Sequence, residues 1–183
     1  MLKAFLARQI DRMEAQWGYD ASYLRFVLGA SPATFLKFGF VTQLVDRKAA
    51  PAAALAAAGI VGTLAEDCGP CTQISVDMAS AAGVEPQVLR AILAGDEAAM
   101  GETAALGWRF AQASLARDME AADLLRDEIV RRWGEAGLTA VAMAITTARM
   151  YPTLKYALGY GKACSKVTVA GIATPVAHLP LAA

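Results

Sequence analysis

The sequence predicts an all-α protein: a single-domain helical bundle that self-associates. Three observations carry this. Apolar residues recur at helical spacing along the chain, and no strand-like alternation of any length interrupts them. Alanine inflates a hydrophobic content of 56%, and alanine is the strongest helix former. No linker-like stretch divides the 183 residues, a length that suits one substantial core. The expected organisation is N-terminal helices over 1–50, a helical core over 51–163 that forms one compact domain with them, and an irregular tail over 164–183.

The elements follow in order. "SYLRFVLG" is an early helical piece. Ser31-Pro32 then supplies an N-cap and a proline at the first helical position. The helix it opens, "ATFLKFGFVTQLVD", places Phe35, Phe38, Thr42 and Val45 on one stripe. Pro51 starts an Ala-rich segment that reaches about Glu66. A further helix begins near Pro70 and ends near Gly83, a C′ glycine. "VEPQVLRAIL" is a short helix before Gly95. "GETAALGWRFAQASLAR" carries Leu106, Phe110 and Ala113 in register. "EAADLLRDEIVRRWG" carries Ala122, Leu125, Ile129 and Trp133, with Asp127–Arg131 and Glu128–Arg132 as i,i+4 pairs on its wet side. Gly134 and Gly137 frame a turn into the nearly uncharged "LTAVAMAITTARMY". Tyr151-Pro152 breaks or kinks this run, and "TLKYALGYGKAC" continues it.

Charge excludes some functions. Lys plus Arg and Asp plus Glu are 17 each, so the formal net charge is zero. A neutral chain without basic blocks gives no electrostatic reason to bind nucleic acid. Low charge with high apolar content favours self-association. Neither uncharged run, 49–65 or 167–183, reads as a membrane span, since each is interrupted by proline. The N-terminus runs early into charges and lacks a secretory apolar region. A cytoplasmic location is the expectation.

The chemistry sits in "LAEDCGPCTQISVDMA", whose Cys68-Gly69-Pro70-Cys71 is the active-site tetrapeptide of thioredoxin. A thioredoxin motif follows a central strand. Here the preceding residues are an Ala-rich helical segment, so the tetrapeptide stands on a different scaffold. Residues i and i+3 of a helix share a face, which brings the two sulfurs within bonding reach. Pro70 belongs in the first turn, where its missing N–H costs nothing. Both cysteines then lie at a helix N-terminus, where free N–H groups and the dipole favour thiolate over thiol. Glu66 and Asp67 place negative charge beside the pair and are candidate proton relays. Two packed, inert cysteines are the alternative. A zinc site would need Cys164 and the sole histidine, His178, as further ligands, and no metal or other cofactor is expected.

This pattern resembles the carboxymuconolactone decarboxylase-like superfamily, and within it the redox-active AhpD-like alkylhydroperoxidases. The resemblance runs over roughly Pro51 to Gly161: an Ala-rich helix, a CxxC opening a helix, "AAGVEPQVLRAIL", an amphipathic helix, "AGLT" and an apolar helix. It implies an all-α fold, a homo-oligomer (trimer or hexamer), and thiol–disulfide chemistry on a hydroperoxide or a disulfide. It also implies that Cys71 attacks and Cys68 resolves. The family's proton-relay histidine falls on Ser75 and its glutamate on Ala56, so both relay residues are replaced. Ser75 shares a helix face with Cys71 and can hydrogen-bond a thiolate, but a hydroxyl is no base near neutral pH. The alternatives are a non-catalytic oligomeric binding or scaffold protein of this fold, and a decarboxylase-like lyase.

Arg149, Tyr151, Lys155, Tyr156 and Lys162 cluster late in the helical region. They read as an amphipathic surface with snorkelling lysines, or else as the polar rim of a substrate pocket. Trp17, Trp108 and Trp133 read as core or interface anchors, and Cys164 as a packing residue.

Overall fold

The computed structural model describes residues 2–162 and 167–177. Among the described residues there are eight α-helices: α1 (Leu2–Trp17), α2 (Ser22–Ala30), α3 (Pro32–Gly39), α4 (Ala52–Ala65), α5 (Gly69–Ala81), α6 (Pro86–Ala94), α7 (Glu97–Ala116) and α8 (Met119–Ala157). A short 3-10 turn, Phe40–Gln43, follows α3. The stretch expected as one helix beyond Ser31 therefore tightens at Phe40. Ser31 caps α3 as its sequence predicts: its hydroxyl accepts the Thr34 N–H at 3.1 Å.

The tail departs from expectation. Val167–Val169 (β1) and Ile172–Thr174 (β2) form an antiparallel hairpin, with Val167 opposite Thr174. Val167 and Val169 point into the core while Thr168 points out, an alternation too short to stand out among helical repeats. The Gln73 side chain ties the hairpin to α5. It donates to the Thr168 carbonyl at 3.0 Å and accepts the Thr168 N–H at 2.8 Å.

Two long helices are broken by glycine. Gly101 in α7 and Gly134 in α8 have φ of 74° and 71°, a region that side chains avoid. The turn expected at Gly134 is present, while Gly137 is already helical and buried. α7 begins at Glu97, earlier than the expected Gly101, while α8 begins at Met119, next to the expected Glu120. Asp96 and Asp118 cap them by accepting the N–H groups of Ala99 and Ala121, each at 3.1 Å. Pro152 does not end α8, which continues to Ala157. Arg131 joins Glu128 rather than Asp127, alongside Arg132.

α4 is the central element, packed along both α7 and α8. Its alanines and glycines permit backbone-close contact. A side chain at Gly107 of α7 would collide with the Ala54 backbone, and one at Gly62 would come within 3.0 Å of the Ile145 carbonyl. Around α4 lies the main core, with Ile60, Val61, Leu89, Ile92, Leu106, Ile129 and Val141 essentially inaccessible. A second apolar cluster joins α1 and α2 through Leu6, Ile10, Tyr23, Leu24 and Leu28. It packs on Ile74 of α5 and on Tyr151 and Leu154 of α8. The N-terminal helices thus form a layer over one face of the bundle. Among the described residues no helix is long and apolar enough to cross a membrane.

Candidate functional site

The turn between α4 and α5 places the cysteines. Asp67 takes a left-handed φ of 47°, which reverses the chain after α4, and aspartate tolerates this region better than most residues. Cys68 is then the N-cap of α5, with extended φ and ψ. Gly69 and Pro70 open the first turn, and Pro70 has no N–H to leave unpaired. The Cys68 carbonyl accepts both the Thr72 N–H at 2.9 Å and the Thr72 hydroxyl at 3.0 Å, which fixes that turn. Cys68 and Cys71 are joined by a disulfide with Cα atoms 5.3 Å apart. Both are buried, at 0% and 2% exposure.

Their surroundings differ. A cavity of about 590 Å³ lies between the bundle and the N-terminal layer, and Cys71 forms part of its wall while Cys68 does not. The wall is mostly apolar: Ile10, Met13 and Trp17 of α1, Phe35 and Phe38 of α3, and Ile74 and Met78 of α5. The stripe read from the sequence, Phe35, Phe38, Thr42 and Val45, faces this cavity in full. Phe38 meets Tyr151 edge-on at 4.9 Å between ring centres. A volume of several hundred Å³, apolar with few polar groups, is the usual shape of a small-molecule site.

Ala56 and Ser75 line the same cavity as Cys71. Ser75 donates to the Cys71 carbonyl at 2.9 Å, so its hydroxyl is committed to the backbone one turn back. Glu66 turns to α8. Arg149 donates to its carboxylate, with nitrogen–oxygen distances of 2.6 and 2.5 Å, and Thr153 reaches it at 3.4 Å. Asp67 is exposed, and its carbonyl accepts the Tyr156 hydroxyl at 2.9 Å. Cys164 and His178 lie outside the described residues. Among the described residues no group of three potential metal ligands converges.

Tyr19 and Tyr23, which carry no sequence signal, complete the site together with Lys155 of the late cluster. The Tyr19 hydroxyl lies 3.9 Å from the Cys71 sulfur, 3.4 Å from the Tyr23 hydroxyl and 3.3 Å from Lys155 Nζ, which donates to it. The Lys155 ammonium also sits over the Tyr19 ring at 4.6 Å and the Tyr23 ring at 5.3 Å. Lys155 is 2% exposed, so it does not snorkel as an amphipathic reading expects. Burial pushes its pKa below the usual 10.5, opposed by the charge of Asp20. Burial likewise raises Tyr19 and Tyr23, and raises Tyr151 to about 12. All three phenols stay protonated at neutral pH. Lys162 pairs with Asp20 at 3.1 Å. The late cluster thus closes around the site: Tyr151 lines the cavity, Lys155 backs it, and Arg149 and Tyr156 pin the turn before Cys68.

Compared with known proteins, the chain matches no family model, no curated protein and no solved structure.

Proposed function

We propose that this protein is a thiol–disulfide oxidoreductase of the AhpD-like kind, in which Cys71 reacts with a hydroperoxide or disulfide held in the apolar cavity. The observation that carries the reading is the asymmetry of the pair: Cys71 faces the cavity and Cys68 stands behind it at the helix cap. A sulfur at the first turn of a helix is stabilised as thiolate by the unpaired N–H groups and the dipole. A ligand in the cavity meets Cys71 first, which makes Cys71 the attacking sulfur and Cys68 the resolving one. Thioredoxin logic, in which the first cysteine attacks, is reversed.

With a hydroperoxide, the Cys71 thiolate attacks the distal oxygen and the O–O bond breaks. An alcohol leaves and Cys71 becomes a sulfenic acid. The Cys68 thiol then displaces water to form the disulfide, and an external dithiol returns both sulfurs to thiols. The apolar wall favours a substrate whose reactive group is carried on an apolar body. The equivalents of the family's relay positions, Ala56 and Ser75, face the same cavity, which supports the resemblance while supplying no acid or base.

Association belongs to the same reading. Leu2, Phe5 and Phe26 of the N-terminal layer, and Phe40 and Leu44 beyond α3, are more than half exposed. We take a homo-oligomer, trimer or larger, to cover them, and sedimentation showing only monomer at micromolar concentration would count against it.

The mostly apolar cavity also favours a second reading, a non-catalytic binder of an apolar ligand. Peptide mass spectrometry after mild oxidation separates the two. The oxidoreductase forms a Cys68–Cys71 disulfide that a dithiol reverses, and Cys68→Ser or Cys71→Ser abolishes the cycle. A binder takes up its ligand equally well with either cysteine replaced.

A further inference from the structure

Ala56 and Ser75 leave the proton chemistry at Cys71 unassigned, and the buried Lys155 is unused by the mechanism above. Among the described residues, no carboxylate lies within ion-pair distance of Lys155; the one hydrogen-bond partner of its Nζ there is Tyr19, whose hydroxyl also faces the Cys71 sulfur. Three elements converge on this point. Tyr19 comes from the loop after α1, Cys71 from the first turn of α5 and Lys155 from the last turns of α8.

We infer that Tyr19 and Lys155 form a proton path to Cys71, Tyr19 exchanging the proton with the sulfur and Lys155 holding it behind. The inference rests on the redox reading of the Cys68–Cys71 pair. In the dithiol protein the Cys71 S–H gives its proton to the Tyr19 oxygen as the Tyr19 O–H proton passes to the Lys155 amine. The products are a thiolate, an intact phenol and an ammonium. When the thiolate attacks an organic hydroperoxide, sulfur loses two electrons, the O–O bond breaks and the departing alkoxide takes the Tyr19 proton. Lys155 then returns its proton to Tyr19. The sum is thiol plus hydroperoxide giving sulfenic acid plus alcohol, with no proton gained or lost by the protein.

The surroundings suit this role. Burial among aromatic rings favours the neutral amine as the acceptor, while the faces of Tyr19 and Tyr23 stabilise the ammonium once it forms. The charged neighbours are Asp20, which favours the ammonium, and Lys162, which opposes it; these two are themselves paired. Tyr23 gives the Tyr19 hydroxyl a second partner, so its single proton has a place to turn when Cys71 is in the disulfide. Tyr19 contacts the reacting sulfur; Lys155 acts through it and is a positioning residue.

The test is the pH profile of Cys71 alkylation by iodoacetamide on the fully reduced full-length protein. It is read on the Cys71 peptide so that Cys68 and Cys164 do not interfere. Wild type, Tyr19→Phe and Lys155→Met are compared. The inference expects an inflection in wild type below that of a free thiol. Both variants should move it to higher pH and slow alkylation near neutrality about tenfold, the effect of a smaller thiolate fraction. Tyr19→Phe removes one oxygen and keeps the ring, so it decides the matter alone if Lys155→Met does not fold. Unchanged profiles in the folded variants, beside a wild-type pair that still titrates low and cycles, overturn the proton path and leave the redox reading standing. A wild-type Cys71 that reacts as a free thiol and forms no reversible disulfide overturns both.

Discussion

Arg149 grips Glu66 across 83 positions of sequence, with Arg149 Nε 2.6 Å from its carboxylate. The pair fastens the end of α4 to α8 just before the cysteine turn. Held by Arg149, Glu66 is expected to position the turn rather than to transfer protons. Glu66→Gln is expected to lower stability by about 1 kcal/mol or less, as for a partly exposed ion pair. It should leave Cys71 alkylation within about twofold of wild type, against the 10²–10⁴-fold typical of losing a general acid or base. Chemical denaturation and the alkylation rate together check this.

The positions of Ala56 and Ser75 offer a gain of function. Both already line the cavity beside Cys71, so introduced polar groups would face the substrate. Ser75→His with Ala56→Glu should raise hydroperoxide consumption by about tenfold or more, the low side of what acid–base assistance contributes. A coupled peroxide assay measures it. No gain in a folded double variant would mean that the proton supply already in place is sufficient.

The alkaline stability profile follows from the buried cluster. Lys155 is held below 10.5 by burial, so the unfolded chain binds its proton more readily than the folded one. Stability from this group is complete above about pH 10.5 and is lost as pH falls through the folded value. Tyr19, Tyr23 and Tyr151 are raised above 10.0, by burial first. Their contribution is present below pH 10.0 and is lost as pH rises beyond it. The melting temperature, measured as wild type minus Lys155→Met, should rise from neutral pH towards about pH 10. A flat difference would contradict the burial of the amine.

α4 and α7 meet at Gly107 and Ala54 with no room for a further carbon. Gly107→Ala should destabilise the fold by about 1–3 kcal/mol, the usual cost of overpacking, although alanine is the better helix former. Thermal melts of the two proteins check it. A variant as stable as wild type would show that the helices can separate without cost.

The helices from α2 onward were legible because they announce themselves locally, whereas α1 was expected only as part of an N-terminal helical region. Ser31-Pro32 marks the start of α3, and the Phe35–Phe38 stripe identifies the face that turns out to line the cavity. The cysteine pair was legible for the same reason, since its four residues carry their own geometry. The hairpin was not, because three-residue strands hold too few alternations to stand out from helical repeats. Nor was Lys155, which lies among other cations in a late helix and looks like a surface residue. Its partners Tyr19 and Tyr23 are 136 and 132 positions away, and only the packing of the N-terminal layer on α8 brings them together. Local patterns specify elements; the polar backing of the site is a tertiary product.

The central claim is that Cys71 is an activated sulfur at the wall of an apolar cavity. The most direct measurement is the single-turnover oxidation of the reduced protein, followed as loss of the Cys68 and Cys71 thiols. A bulky apolar organic hydroperoxide is compared with hydrogen peroxide, and each with free cysteine. The account predicts a Cys68–Cys71 disulfide forming about tenfold or more faster than free cysteine oxidises, with the apolar hydroperoxide the better substrate. Thiols that react no faster than free cysteine with either oxidant would contradict it.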